Sequence, residues 1–272
     1  MTVVQAMVLG AVQGIAEFLP ISGSAHLVLV PWLLGWQIQP NPASALNILG
    51  EMGALVAVVG FFWTDLRGLV RAGVLSLINR SLEDPQARLA WQVALAALPA
   101  TLASLVLQQT LRESLSSPRT LGGFLLATGA FLFLADLIGR PSRSLLQAGW
   151  RDAIFMGVAQ AIGLLPGVSR CGVTMATGTL TGLSRPTAAR FSILMAVPIL
   201  LEAGIVGARG LASLPDLASD LMLGAAGFVA AAVVGFFVIG WLLRYLTTHS
   251  LRVFALYCGV LGSITVLLSF VR

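Results

Sequence analysis

The stretch Gln13-Gly14-Ile15-Ala16-Glu17-Phe18-Leu19-Pro20-Ile21-Ser22-Gly23-Ser24-Ala25-His26 lies inside an apolar run that covers residues 3–35. A second run, 153–182, is broken in the same manner by Leu165-Pro166-Gly167-Val168-Ser169-Arg170. Pro, Gly and Ser in mid-segment interrupt a helix, and irregular backbone at bilayer depth is tolerated only where protein or water surrounds it. Both runs are therefore expected to be re-entrant helix–loop–helix hairpins. The bilayer itself is implied by composition: of 272 residues 57% are hydrophobic and 10% charged, with mean hydropathy +0.93. A soluble domain with an ordinary charged surface does not reach that balance.

Outward from the two breaks, apolar runs at 47–64, 89–109, 120–138, 187–208, 222–243 and 252–271 each approach the ~20 residues a helix needs to cross. The expected fold is thus an all-α integral membrane protein with six transmembrane helices and two re-entrant hairpins. At an offset of 147 residues, Gly10, Gln13, Ile15 and Ser22 meet Gly157, Gln160, Ile162 and Ser169. Each broken segment precedes three spans, the arrangement of a repeat whose interface holds a binding site. Three spans per half is odd, so the halves, 1–140 and 150–272 of a single membrane domain, are expected to run inverted.

Sixteen positive charges, all Arg, against eleven acids leave a net charge of +5. They lie in short loops and not on a basic, aromatic-interleaved face, which argues against nucleic acid. With both termini on one side, that side carries Arg112, Arg119, Arg209 and Arg272. The other carries Arg67, Arg71, Arg80, Arg88, Arg140, Arg143, Arg151, Arg185, Arg190, Arg244 and Arg252. The positive-inside rule then puts both termini outside the cytoplasm and the segment 65–88 within it. Cys171 and Cys258 are too few and too far apart for a metal cluster or disulfide framework.

The ionisable residues inside the apolar regions are Glu17, His26, Glu51, Arg170 and Glu202, with Asp65 and Asp136 at span ends. A charge at bilayer depth costs roughly 2.5–3.5 kcal/mol on the gentlest scale, which makes each a functional candidate. Gln13 and Glu17, four apart, share a helix face. Pro20 suits the start of the next helix, whose free N–H groups attract anions. Ser22, Ser24 and His26 fall in its first turns and add hydroxyls and an imidazole. The second break offers Gly167 for close approach, Ser169 and Thr174 as hydrogen-bond donors, and Arg170 as a planar bidentate donor suited to phosphate. Together they describe a site for a phosphate ester or anhydride within the membrane. Glu17 with Gln13 is also a donor pair for a divalent cation, Mg²⁺ or Ca²⁺, which fills its other positions with water and phosphate oxygens. A blander alternative makes Arg170 the structural counter-ion of Glu17, His26 a satisfied polar residue, Cys171 a packing residue, and Glu51 and Glu202 supporting groups.

These residues resemble the BacA-type undecaprenyl-diphosphate phosphatases of bacterial membranes. One signature is Glu/Gln-x-x-x-Glu running into Phe-Leu-Pro, a serine cluster and a His, here Gln13 to His26. The other is Pro-Gly-x-Ser-Arg-Ser-x-x-Thr, here Pro166 to Thr174, and the Ala-Val-Pro run at 196–198 extends the likeness over nearly the whole chain. The resemblance implies hydrolysis of undecaprenyl diphosphate to the monophosphate, recycling the carrier for peptidoglycan and other envelope glycans. It also implies six spans with two hairpins in inverted repeat, a homodimer, and a site open to the outer face of the bacterial plasma membrane. Glu17, His26 and Arg170 would be catalytic, with Ser22 or Ser24 supplying a hydroxyl, and Gln13, Gln160, Gly167, Ser169 and Thr174 would bind substrate. Two positions depart from the pattern: Gly23 stands for the second serine of the first cluster, and Cys171 for the serine after Ser169-Arg170. Two rivals accompany this expectation. A lipid-phosphate transporter with the same anion pocket shares the broken-helix architecture, whereas a phosphatidic-acid-type phosphatase would need a Lys, and the chain has none.

Overall fold

A computed structural model describes residues 1–37, 45–115, 117–211 and 217–271, apart from the side chains of 107–115, 209–211 and 217–219. Arg112, Arg209 and Arg272, used above for orientation, therefore lie outside the described side chains. The described residues form helices with no named strand: α1 Val3–Ala16, α2 Gly23–Leu33, α3 Ala45–Phe61, α4 Trp63–Asn79, α5 Pro85–Leu115, α6 Pro118–Ile138, α7 Trp150–Ile162, α8 Arg170–Leu180, α9 Arg185–Leu194, α10 Ala196–Leu211, α11 Leu217–Thr248 and α12 Arg252–Leu268.

Both broken segments are helix–break–helix, with interruptions at 17–22 and 163–169. The first break differs in detail from expectation. Pro20 does not start α2; the helix begins at Gly23, and Ser22 is its cap, accepting from the Ala25 N–H at 3.3 Å. Residues 17–19 prolong the last turn of α1, with the Leu19 N–H on the Ile15 carbonyl. Pro20, which lacks an N–H to give, falls where the chain reverses. In the second break Ser169 caps α8, accepting from the Gly172 N–H at 3.0 Å. Ser22 and Ser169, matched in the sequence offset, thus hold the same post.

Among the described residues four helical stretches are long and apolar enough to cross a membrane: Pro85–Val106, Pro118–Ile138, Arg185–Ala208 and Asp220–Thr248. The pair α3–α4, bent by 80°, makes a fifth if counted as one span. The expected spans 47–64 and 252–271 are helical, but α3 and α12 are 17 residues each and fall short on length. Part of the segment 65–88 is the helix α4, whose Arg67 and Arg71 alternate with Leu66, Leu69 and Val70 on an amphipathic surface. The α9–α10 junction precedes Pro198, which cannot donate to the carbonyl of Leu194, so the span is jointed there.

Polarity is arranged inside out. Gln13, Ser22, His26, Gln160, Ser169, Thr174 and Ser192 are buried, whereas Val56, Leu102, Phe133, Phe237, Leu256 and Leu267 face outward. With lipid outside there is no hydrophobic drive between helices, and association relies on close backbone approach at small residues. α1 packs on α11 and α7 on α5. A Cβ at Gly10 would collide with the Gly227 backbone of α11, and one at Gly157 would lie 2.8 Å from the Ala96 carbonyl of α5. The first helix of each broken segment is therefore pressed against a long helix of the other half, which carries both breaks to the middle of the molecule. α3 with α11 and α6 with α12 complete the frame.

One end of the bundle is clasped by ion pairs. Asp136, its side chain fully buried, takes Arg185 Nε at 2.6 Å and Arg252 Nε at 2.9 Å. Arg143 grips Asp152 with two nitrogens, at 2.9 and 2.7 Å, and Arg190 meets Asp65 at 2.7 Å.

Candidate active site between the two breaks

The two breaks touch. Arg170, the first residue of α8, places Nη2 3.0 Å from Glu17 Oε1, with side-chain exposures of 12% and 15% that leave the pair largely shielded from solvent. Arg170 Nη1 reaches Gln160 Oε1 on α7 at 3.4 Å, and Gln13 Nε2 donates to Glu17 Oε2 at 3.2 Å. A row Gln13–Glu17–Arg170–Gln160 results, drawn equally from both segments. Each amide keeps one buried atom without a partner, Gln13 Oε1 and Gln160 Nε2. Buried polar atoms without partners are rare, because each costs about 1–3 kcal/mol. Here an acceptor and a donor of that kind flank one ion pair.

A second contact joins the breaks directly: the Gly167 N–H donates to Ser24 Oγ at 3.2 Å. Gly167 has φ +90°, and a Cβ there would sit 2.9 Å from the Leu121 carbonyl oxygen and from Phe124, so both the backbone conformation and the space require glycine. Ser24 is exposed, and its hydroxyl lies 3.3 Å from Ser22 Oγ. Ser22 is buried and holds φ 73°, ψ 98°, an outlier for a residue with a Cβ that stores on the order of 1–3 kcal/mol.

His26, buried in the first turns of α2, does not hydrogen-bond Glu17 or Arg170. Its Nδ1 lies 2.7 Å from the Ser22 carbonyl and its Nε2 2.7 Å from the Tyr257 hydroxyl of α12. The acid–cation row and the serine–imidazole group are still neighbours, because a Cβ at Gly23 would lie 3.5 Å from Glu17 Oε2.

Of the other expected residues, Ser169 is engaged as a cap and its N–H donates to Thr128 Oγ1 at 3.2 Å. Thr174 lies one turn further along α8, its hydroxyl 2.9 Å from the Arg170 carbonyl and 2.6 Å from Ser192 Oγ. It braces the backbone behind Arg170 and is not directed into the row. Cys171 donates its thiol to the Glu17 carbonyl at 3.1 Å, a contact a serine hydroxyl would also make. Glu202 accepts from Ser104 Oγ at 2.9 Å. Among the described residues no three His, Cys, Asp or Glu side chains gather as a metal cluster. Sequence reasoning missed Tyr257, which sits 231 positions from His26 on another helix.

A model of the bacitracin resistance protein BacA family matches residues 6–264. The undecaprenyl-diphosphatase of Thermomicrobium roseum is 41% identical over 283 residues, covering all of both chains. That of Moorella thermoacetica is 39% identical over 272 residues, again covering both. That of Methanosphaera stadtmanae is 35% identical over 279 residues and 99% of each chain.

Proposed function

This chain belongs to the bacitracin resistance protein BacA family, and from that premise we propose that it hydrolyses undecaprenyl diphosphate to undecaprenyl phosphate and inorganic phosphate within a bacterial plasma membrane. The observation that carries the reading is the 3.0 Å pairing of Arg170 with Glu17 across the two breaks. Phosphoryl transfer asks for positioning and charge neutralisation more than covalent chemistry by the protein. An arriving diphosphate competes with Glu17 for the guanidinium, gains the orphaned N–H of Gln160, and meets the free N–H groups at the start of α8. An oxygen nucleophile forms its bond to the terminal phosphorus, the bond from that phosphorus to the bridging oxygen breaks, and the lipid monophosphate leaves. His26 is the group placed to exchange the proton, and Ser22 and Ser24 are the hydroxyls beside it.

The residues fit a divalent cation, Mg²⁺ or Ca²⁺, on one observation: Gln13 Oε1 is buried without a partner beside the Glu17 carboxylate. One carboxylate and one amide oxygen suit an ion that draws its remaining ligands from water and phosphate. The ion would supply neutralisation of phosphate charge.

The same proposal takes the chain as two inverted repeats, 1–140 and 150–272. The paired roles of Ser22 and Ser169 as caps, and the paired approaches of Gly10 and Gly157, support it. It further takes α3 and α12 as spans despite their length, both hairpins as re-entrant, both termini and the site as facing outward, and the protein as a homodimer. Orientation rests on the arginine distribution and the dimer on the family resemblance.

Purified protein in detergent, given undecaprenyl diphosphate, is expected to release one phosphate per lipid, and a chelator is expected to suppress the release. Intact lipid bound without phosphate release would overturn the reading in favour of a transporter.

Gly23→Ser restores the family's second serine. The nearest atoms to a Cβ there are 3.5 Å away, ordinary contact distance. Serine in place of glycine should stabilise α2 by roughly 0.5 kcal/mol and set a hydroxyl beside Glu17. A melting point at or above that of the wild type and undiminished phosphate release are expected; a drop in both would mean that the site is built around the missing side chain.

A further inference from the structure

We propose that Tyr257 is a positioning residue for His26, donating to Nε2 and holding the orientation of an imidazole whose proton the Ser22 carbonyl keeps on Nδ1; the inference rests on the phosphatase reading. The Ser22 carbonyl can only accept, so at 2.7 Å it fixes the proton on Nδ1. Nε2 is then a lone pair, and the Tyr257 hydroxyl 2.7 Å away must donate to it. The rings also lie nearly parallel, centroids 5.6 Å apart and planes 11° from parallel, so the Ser22 carbonyl sets the tautomer and Tyr257 the orientation of the ring.

Two further observations separate this arrangement from incidental packing. Tyr257 is 43% exposed on the outer surface of α12, where the core imposes no demand for an aromatic ring and lipid penalises an unpaired hydroxyl. The neighbouring Cys258 lies fully buried with its thiol 3.5 Å from the Pro20 carbonyl. Two consecutive residues of the last helix thus brace the first break, one against its turn and the other against its imidazole. A histidine acts repeatedly as a base only while its tautomer and its orientation are both held.

Tyr257→Phe keeps the ring and removes only the hydroxyl. The chain has two histidines, His26 and His249, and His249 is exposed. Full-length protein labelled with ¹⁵N-histidine in a His249→Gln background therefore reports His26 alone. The wild-type side chain is expected to give the spectrum of a neutral ring protonated on Nδ1 with Nε2 accepting a hydrogen bond, and Tyr257→Phe the same tautomer with the Nε2 resonance moved to that of a nitrogen without a donor. Turnover of the variant should fall by about tenfold to a hundredfold, the scale of a mispositioned catalytic group, with KM for the lipid within about twofold. An unchanged spectrum, an unchanged kcat, or a loss confined to KM would each overturn the proposal. If wild-type protein released no phosphate, the functional reading would fail, while the ¹⁵N comparison would still decide whether Tyr257 donates to Nε2 of His26.

Discussion

Arg170→Ala is expected to lower phosphate release by about 10³-fold or more, the amount an arginine aimed at a transferring phosphoryl group is worth. The side chain stands between Glu17 and Gln160, using one nitrogen for each, at 3.0 and 3.4 Å. Removing it deletes the only cation in the row and leaves Glu17 facing a phosphate with nothing to offset like-charge repulsion. Arg170→Lys should also be impaired, since a point charge on a flexible stem cannot hold two partners in a plane. Collapse of the fold is the competing explanation for a dead variant. α8 keeps its cap at Ser169 and its brace at Thr174 in either substitution, so an unchanged elution profile and helical circular dichroism should accompany the loss. Activity within a few-fold of wild type would remove the ion pair from the mechanism and the proposed site with it.

The parts of this site that could be read in advance are those whose signal is local. Gln13 and Glu17 are four apart on one helix, and their hydrogen bond follows from helical geometry alone. The meeting of Arg170 with Glu17 is a contact across 153 positions. It was legible because charge at bilayer depth must find a partner and both residues flank breaks in apolar runs. Pro20 misled, because proline's tolerance for a helix start is equally a tolerance for the turn before it. Thr174 misled because motif membership does not say which way a hydroxyl faces, and this one closes onto its own helix and Ser192. Tyr257 left no trace: one aromatic residue on a lipid-facing helix is unremarkable until the fold brings it to His26. Helix lengths depart from the apolar stretches in both directions. α5 and α11 extend beyond the apolar stretches 89–109 and 222–243, whereas α12 stops short of 271, because helix ends are set by caps and loop contacts that hydropathy does not register.

Asp136→Ala is expected to cost roughly 3–5 kcal/mol of stability, the penalty for breaking a buried ion pair and leaving its partners uncompensated. The side chain of Asp136 is fully buried while those of Arg185 and Arg252 are 29% and 53% exposed. The carboxylate thus bears the desolvation, and the guanidinium groups cap it from the surface. It also accepts from the Leu251 N–H at 3.3 Å, so one residue ties the end of α6 to the starts of α9 and α12. Asp136→Asn should lose less, because the amide can still accept from one donor. The consequence for function follows from α12. The helix that Asp136 anchors at Arg252 carries Tyr257 little more than one turn later, so loosening the anchor should let the phenol drift from His26. Under conditions where Asp136→Asn is still folded, its kcat should therefore fall in the manner of Tyr257→Phe, and combining the two substitutions should cost less than the sum of both, as expected when two changes act through one contact. Thermal unfolding in detergent measures the first effect and phosphate-release kinetics the second; full additivity of the kcat losses would separate the anchor from the imidazole.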